Sequence, residues 1–235
     1  MKQFAIQYNF VFDDDKKSDY GRTVKYLIEF NDQNLSYCCK KPEGPEWSKL
    51  EFNRCQNCTL KKEEHNYCPV AKNLSELIDE FNEVNSFQKA KVYVQTPERI
   101  YSKNTDVQTG LLSCFGAIMA ASGCPHLDIF RPLVKFHLPF STFEETIYRV
   151  VSMFLLKQCY GNLDSKINFK EMMEVLKEKY AQVEIVNQGM LERINKVVKK
   201  DADKNAFVAL NSFAQIFSME CDTNFVDTLA QVFKF

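Results

Sequence analysis

The sequence predicts an α+β protein: a small N-terminal antiparallel β-meander with a cysteine metal loop, packed on a mainly helical C-terminal half. Three observations carry this. Phe4 to Phe12 and Thr23 to Phe30 alternate apolar and polar residues and are rich in aromatic and β-branched types, as half-buried strands are. Seven of the nine cysteines, all three histidines and all seven prolines lie before residue 141, which places the chemistry in the first part of the chain. From Ile167 onward there is no proline and a single glycine, Gly189, as expected of helices. Residues 1–140 therefore read as a β-rich part with the cysteine loop and a buried helix, and 141–235 as a helical part, together one cooperative unit.

In order, the polar stretch Asp13 to Gly21 has no apolar period and should turn the first strand back onto the second. Asn31-Asp32-Gln33 would turn again into a third strand near Asn34 to Cys39, completing a meander. Lys41 to Glu46 holds two prolines and a glycine and breaks regular structure ahead of Trp47, the only tryptophan, read as a lid on the core.

Cys55-Gln56-Asn57-Cys58 follows, and then Cys68-Pro69. A two-residue gap lets the Cys55 and Cys58 sulfurs turn to one side of a tight loop. Pro69 suits the first position of a helix, because its missing N–H would have had no partner there. Val70, Leu74, Leu77, Ile78, Phe81 and Val84 share one face of that helix. Cys68 is then its N-cap, where free N–H groups and the helix dipole favour a thiolate, the form that binds metal.

Lys89 to Gln95 and Arg99 to Lys103 read as a hairpin around Thr96-Pro97-Glu98, and Thr105 or Asp106 as the cap of a helix whose body, Leu111 to Ala121, is apolar nearly all round and must be buried. Ser122-Gly123 ends it. Cys124-Pro125-His126 then repeats the cysteine-proline arrangement of Cys68. Ser141 with Glu144 and Thr142 with Glu145 are overlapping capping boxes for the next helix, on which Glu145, Arg149 and Ser152 form a narrow polar stripe read as wetted surface. Met173, Leu176, Tyr180, Val183, Met190, Ile194 and Val197 keep a seven-residue repeat with Asn187 in an apolar position, either helix packing within the chain or a short coiled coil over 169–198. Gly189 could interrupt this repeat, and Gln182 to Val186 could be a strand. Two last helices, around Ala202 to Met219 and Asn224 to Phe233, would close the helical layer.

Cys55-x2-Cys58, Cys68-Pro69-Val70-Ala71-Lys72-Asn73-Leu74, Tyr101-Ser102-Lys103, Ser122-Gly123-Cys124-Pro125 and Phe136-His137-Leu138-Pro139-Phe140 with Glu145 to Arg149 together resemble a family of uncharacterised bacterial proteins. The resemblance spans roughly residues 47–160, with an echo at Asp201 to Asn205 and little in the first forty residues. It implies that Cys55, Cys58, Cys68 and Cys124 belong together, and nothing about a reaction.

Composition bounds the function. With 30 Lys and Arg against 31 Asp and Glu, the chain has no general field for a polyanion or an anionic bilayer, so neither nucleic acid nor membrane is an expected partner. No apolar run reaches the ~18 residues that span a bilayer, and the N-terminal residues resemble no signal or transit peptide, so a cytoplasmic location is expected. In a reducing compartment nine cysteines point to metal, thiol chemistry or burial rather than disulfides. Zinc held by Cys55, Cys58, Cys68 and Cys124, with His65 as an alternative ligand, is the leading reading, since four thiolates form a closed tetrahedral site. An iron–sulfur cluster is the alternative. No Gly-rich phosphate loop, Gly-x-Ser-x-Gly elbow or His-Glu-x-x-His helix occurs. Lys103, Arg131 and His137 are the best catalytic candidates, with His137 more simply a core histidine; His126 beside Cys124 could activate that thiol. The expected function is a non-catalytic, zinc-stabilised binding or regulatory protein with a protein or small-molecule partner, and the alternative an iron–sulfur or reactive-thiol redox sensor or enzyme.

Overall fold

The computed structural model describes residues 3–12, 22–161 and 168–220. It contains one four-stranded antiparallel sheet followed by a mostly helical second half, the α+β class read from the sequence. Strands β1 (Gln3–Phe12) and β2 (Thr23–Asn31) pair along their length, with Tyr8 opposite Tyr26 and Phe10 opposite Val24. The connection over 13–21 lies outside the described residues. Strands β3 (Lys89–Gln95) and β4 (Ile100–Asp106) form the second hairpin, and the sheet order is β2-β1-β3-β4.

The third strand expected near Asn34 to Cys39 does not form. Asn31 Oδ1 accepts from the amides of Gln33 and Asn34, Leu35 takes a left-handed backbone (φ 57°), and only a single bridge, Phe30 to Tyr37, remains. The segment turns over the end of the helix below instead, where the Tyr37 amide donates to Ala121 O. The sheet is completed from the other side of β1, by β3.

Helix α1 (Pro69–Phe81) starts at Cys68 as its proline predicts, and helix α2 (Val107–Ala120) is capped by Asp106, whose side chain accepts from the Thr109 amide. Both lie under the sheet. Phe81 meets Phe10 edge-on at 4.8 Å between ring centres, and α2 approaches so closely that any side chain at Gly110 would collide with the Phe10 ring. Gly123 ends this unit with a positive φ of 92°. The Cys124-Pro125 turn then leads into a 3-10 helix, Asp128–Val134, rather than an α-helix; Pro132 within it lacks the amide that an α-helical ladder needs.

Helix α3 (Phe143–Gly161) begins with the predicted box, Glu145 N–H donating to Thr142 Oγ1 and Thr142 N–H to the Glu145 carboxylate. Arg149 departs from the wetted-surface reading. Its guanidinium donates to Leu133 O and Phe136 O and ties α3 to the 3-10 helix. Helix α4 (Phe169–Asn195) is unbroken across Gly189 and across Gln182 to Val186. Its repeat Met173, Leu176, Tyr180, Val183, Asn187, Met190 and Ile194 is buried, and it packs on helix α5 (Ala202–Glu220), where Tyr180 stacks on Phe217 at 3.8 Å. The repeat thus serves packing within the chain. The helix read over Asn224 to Phe233 lies outside the described residues. Among the described residues no helix is long and apolar enough to cross a membrane.

Candidate metal centre

The cysteine loop is closed at its base before any metal is considered. A 3-10 turn, Glu46–Ser48, buries Trp47 and Ser48; the Cys68 amide donates to Ser48 O, and the Leu50 amide to Asn66 O. Lys49 and Tyr67 bridge between them. Cys55 and Cys58 sit at the far side in a tight turn, Cys58 N–H donating to Cys55 O at 3.1 Å. Arg54 stiffens the return path by donating to Cys58 O and Leu60 O.

One face of α4 receives this loop. Asn57 Nδ2 donates to the backbone and side-chain oxygens of Gln182, both at 3.0 Å, and Lys196 Nζ donates to Asn53 Oδ1 at 2.8 Å. Between them, a Cβ at Gly189 would stand 2.6 Å from Cys55 Sγ. Gly189 is the place where the thiol nests, which is why it does not mark a helix end. From the opposite side His126 Nε2 donates to Asn57 O at 2.7 Å, so the Cys124 turn is fastened to the same loop.

Arg193 is the centre of the arrangement. Its side chain is 1% exposed; Nη1 donates to Trp47 O and Lys49 O at 2.8 Å, Nη2 to Leu50 O at 3.0 Å, and the plane lies near the Phe52 ring. None of the ion pairs among the described residues involves it, and its Nε has no partner there. The groups it bears on electrostatically are thiols, since it favours the thiolates of both Cys55 and Cys68.

Electrostatic interactions link the four predicted thiols. Cys55 feels Cys68 and Cys58, Cys68 feels Cys58, and Cys124 feels Cys68 and Cys55. Burial pushes Cys55 up to about 11 and Cys124 to about 12, and it raises Cys68 as well. Opposing burial, the amides of Ala71 and Val70 favour the Cys68 thiolate, and those of His126 and Leu127 favour that of Cys124. The two cysteine-proline turns thus supply the same pair of donors. As free thiols Cys55, Cys68 and Cys124 are protonated at neutral pH and poor nucleophiles. Among the described residues, however, no group of three or more His, Cys, Asp and Glu side chains is arranged to hold a metal ion. His65 is exposed at the loop tip, its amide donating to Lys61 O. A cleft of about 330 Å3, lined by Arg54, Cys55, Gln56, Glu184, Gln188 and Glu192, opens beside Cys55.

The remaining candidates stand apart from one another. His137 accepts or donates one bond at Nε2, 2.5 Å from Tyr8 OH, and burial, reinforced by Arg149, depresses it to about 3, so it is neutral at neutral pH. Arg131 is held by Asp128 and by Asn34 O, and Lys103 is exposed on β4. These three share no hydrogen bond or ion pair. Arg193, Asn57 and Gln182 escaped the sequence reading. The one available signal was a charged residue set between Met190 and Ile194 in a buried stripe.

No curated protein and no solved structure matches the chain. A family profile described as a domain of unknown function, DUF6901, matches residues 6–234, so the likeness extends well beyond residues 47–160 and takes in the sheet. The chain belongs to this family, whose description assigns no activity.

Proposed function

We propose that the chain holds one zinc ion through Cys55, Cys58, Cys68 and Cys124, and that it is a non-catalytic binding or regulatory protein stabilised by that ion. The observation that carries this reading is Arg193: a buried guanidinium with no carboxylate in any ion pair among the described residues, acting electrostatically on two thiols, Cys55 and Cys68, of a linked set of four. A buried cation is stable only when its charge is met. Protonated thiols do not meet it, whereas a four-thiolate zinc centre carries net negative charge and does. Amides directed at Cys68 and Cys124 support the same deprotonated state. The ion would require the thiols to draw together from their present spacing, joining the loop, the start of α1 and the Cys124 turn, and its binding energy would become folding energy.

Raised thiol pKa values and a His126 ring committed to Asn57 O speak against a reactive-thiol enzyme. An iron–sulfur cluster would satisfy the same four thiolates and the same Arg193. Elemental analysis and a visible spectrum of protein purified without oxygen decide between them, with Cys124→Ser as the comparison. One zinc per chain in colourless protein, lost in the variant, is expected. Iron with visible absorption would replace zinc by a cluster, and metal-free protein would sink the reading.

A further inference from the structure

The side of the sheet turned away from α1 and α2 has no described helix on it, and its composition differs from that of the chain as a whole. Register places the outward residues in rows across all four strands. One row runs Leu27, Gln7, Gln95, Ile100; the next Lys25, Asn9, Tyr93, Ser102; the next Thr23, Val11, Lys91, Asn104. Lys89, opposite Asp106, stands in the row beyond. Lys25, Lys89 and Lys91 are exposed, and none takes part in the ion pairs among the described residues. Of the two acids on the described part of this face, Glu29 pairs with Lys40 at 2.9 Å, and Asp106, which caps α2, stands opposite Lys89. Three lysines against the one carboxylate outside any ion pair leave the described part of this face positive, although the chain as a whole has a net charge of −1.

At its centre lies Tyr93, half-buried on an inner strand, with Lys91 Nζ 5.1 Å from its ring centre. Amide side chains, Gln7, Asn9, Gln95 and Asn104, surround it, and Leu27 and Ile100 leave apolar surface exposed at the two ends of one row. A surface offering an aromatic ring, amides and lysines outside every ion pair among the described residues matches the three parts of an unpaired nucleotide: a base to stack, base edges to hydrogen-bond and a phosphate.

We propose that this sheet face, free of helices among the described residues, binds single-stranded nucleic acid, with a base stacked on Tyr93 and the backbone tracked by Lys25, Lys91 and Lys89. A duplex does not fit the same chemistry, because its bases are already stacked and paired. The proposal is independent of the metal centre. It goes beyond the expectation drawn from net charge, because strand alternation sets Lys25, Lys89 and Lys91 on one face with fewer unpaired acids among the described residues.

The test is fluorescence anisotropy of a labelled oligouridine of about 20 nucleotides, in low salt, against a duplex of the same length. Three lysine contacts predict a slope of roughly −2 in log affinity against log salt. Tyr93→Ala should weaken binding by ~10-fold or more, while Tyr93→Phe, which keeps the ring, should retain it. A Lys25→Glu, Lys91→Glu double variant should abolish binding without altering the circular-dichroism spectrum. Absence of binding in low salt overturns the proposal. So does binding insensitive to Tyr93→Ala, or equal binding of the duplex or of polyglutamate, which would make the face a docking site for an acidic protein.

Discussion

The interface between the sheet and its helices and the interface between α4 and the cysteine loop are both buried, yet they are held by opposite chemistry. Under the sheet, Phe10, Phe81, Val92 and Leu111 exclude water through apolar contact alone. Against α4, the contacts are directional: Arg193 on three carbonyls, Asn57 on Gln182, Lys196 on Asn53 and a thiol seated over Gly189. Apolar burial tolerates small shifts, whereas a guanidinium fixed by three acceptors specifies one position of the loop. The loop therefore arrives at α4 in a defined register, which the proposed set of four cysteines, distant in sequence, needs.

The largest effects should separate these two modes. Arg193→Met leaves the carbonyls of Trp47, Lys49 and Leu50 without their donor and should cost about 3–5 kcal/mol in urea unfolding. Phe81→Ala should cost a similar amount, about 3–5 kcal/mol, through a cavity beside Phe10. Adding a chelator should then distinguish the two: the Phe81→Ala protein should lose stability as the native chain does, and the Arg193→Met protein should respond little. Equal chelator responses would remove the link between Arg193 and the thiols.

Gly189→Ala comes next. Alanine favours a helix interior by about 1 kcal/mol over glycine, but here its methyl group would press on Cys55 Sγ, and a net loss of roughly 1–3 kcal/mol is expected. A stabilised variant would show that the thiol moves aside freely.

Two titrating groups sharpen the contrast further. Burial, with Asp79 adding to it against the opposing backbone amide, pushes Asp203 up to about 8, and both its carboxylate oxygens lack partners among the described residues. The folded state therefore holds a proton that the unfolded chain has released above 3.8, and this group removes stability as pH rises from there to about 8. His137 acts in the other direction: neutral in the fold down to about 3, it adds stability as pH rises toward its unfolded value of 6.5, and nothing beyond. Between pH 6.5 and 8 only the Asp203 slope remains of the two. Asp203→Asn should abolish that slope in unfolding curves taken across this window, and a slope unchanged by the substitution would place its origin elsewhere.

The smallest expected effect is at the surface. Thr142→Ala removes one half of the capping box of α3 and should cost about 1 kcal/mol, read from the thermal midpoint. Such a change should leave both buried interfaces as they are.

The legible parts of the fold were those in which neighbours along the chain determine the outcome. Alternation in β1 and β2, proline after Cys68, Asp106 ahead of α2 and Thr142 with Glu145 act within a few residues of themselves. The third strand failed for the complementary reason. Asn31 Oδ1 captured the local amides, and β3, distant in sequence, provided β1 with its second neighbour. The sequence places Glu145 four residues before Arg149, whereas in the fold the Arg149 guanidinium donates to the carbonyls of Leu133 and Phe136.

By itself, then, the sequence determined the α+β class, the helix starts and the set of cysteines worth watching, because caps, periods and proline constraints are short-range. Tertiary structure alone decided that Gly189 is a seat for Cys55, that Arg193 is buried beside the thiols, and that Lys25, Lys89 and Lys91 of three rows share the side of the sheet turned away from α1 and α2. Each of these depends on which distant backbone group or strand happens to come within a few ångströms, and a linear pattern of residues does not encode that distance until the chain has packed.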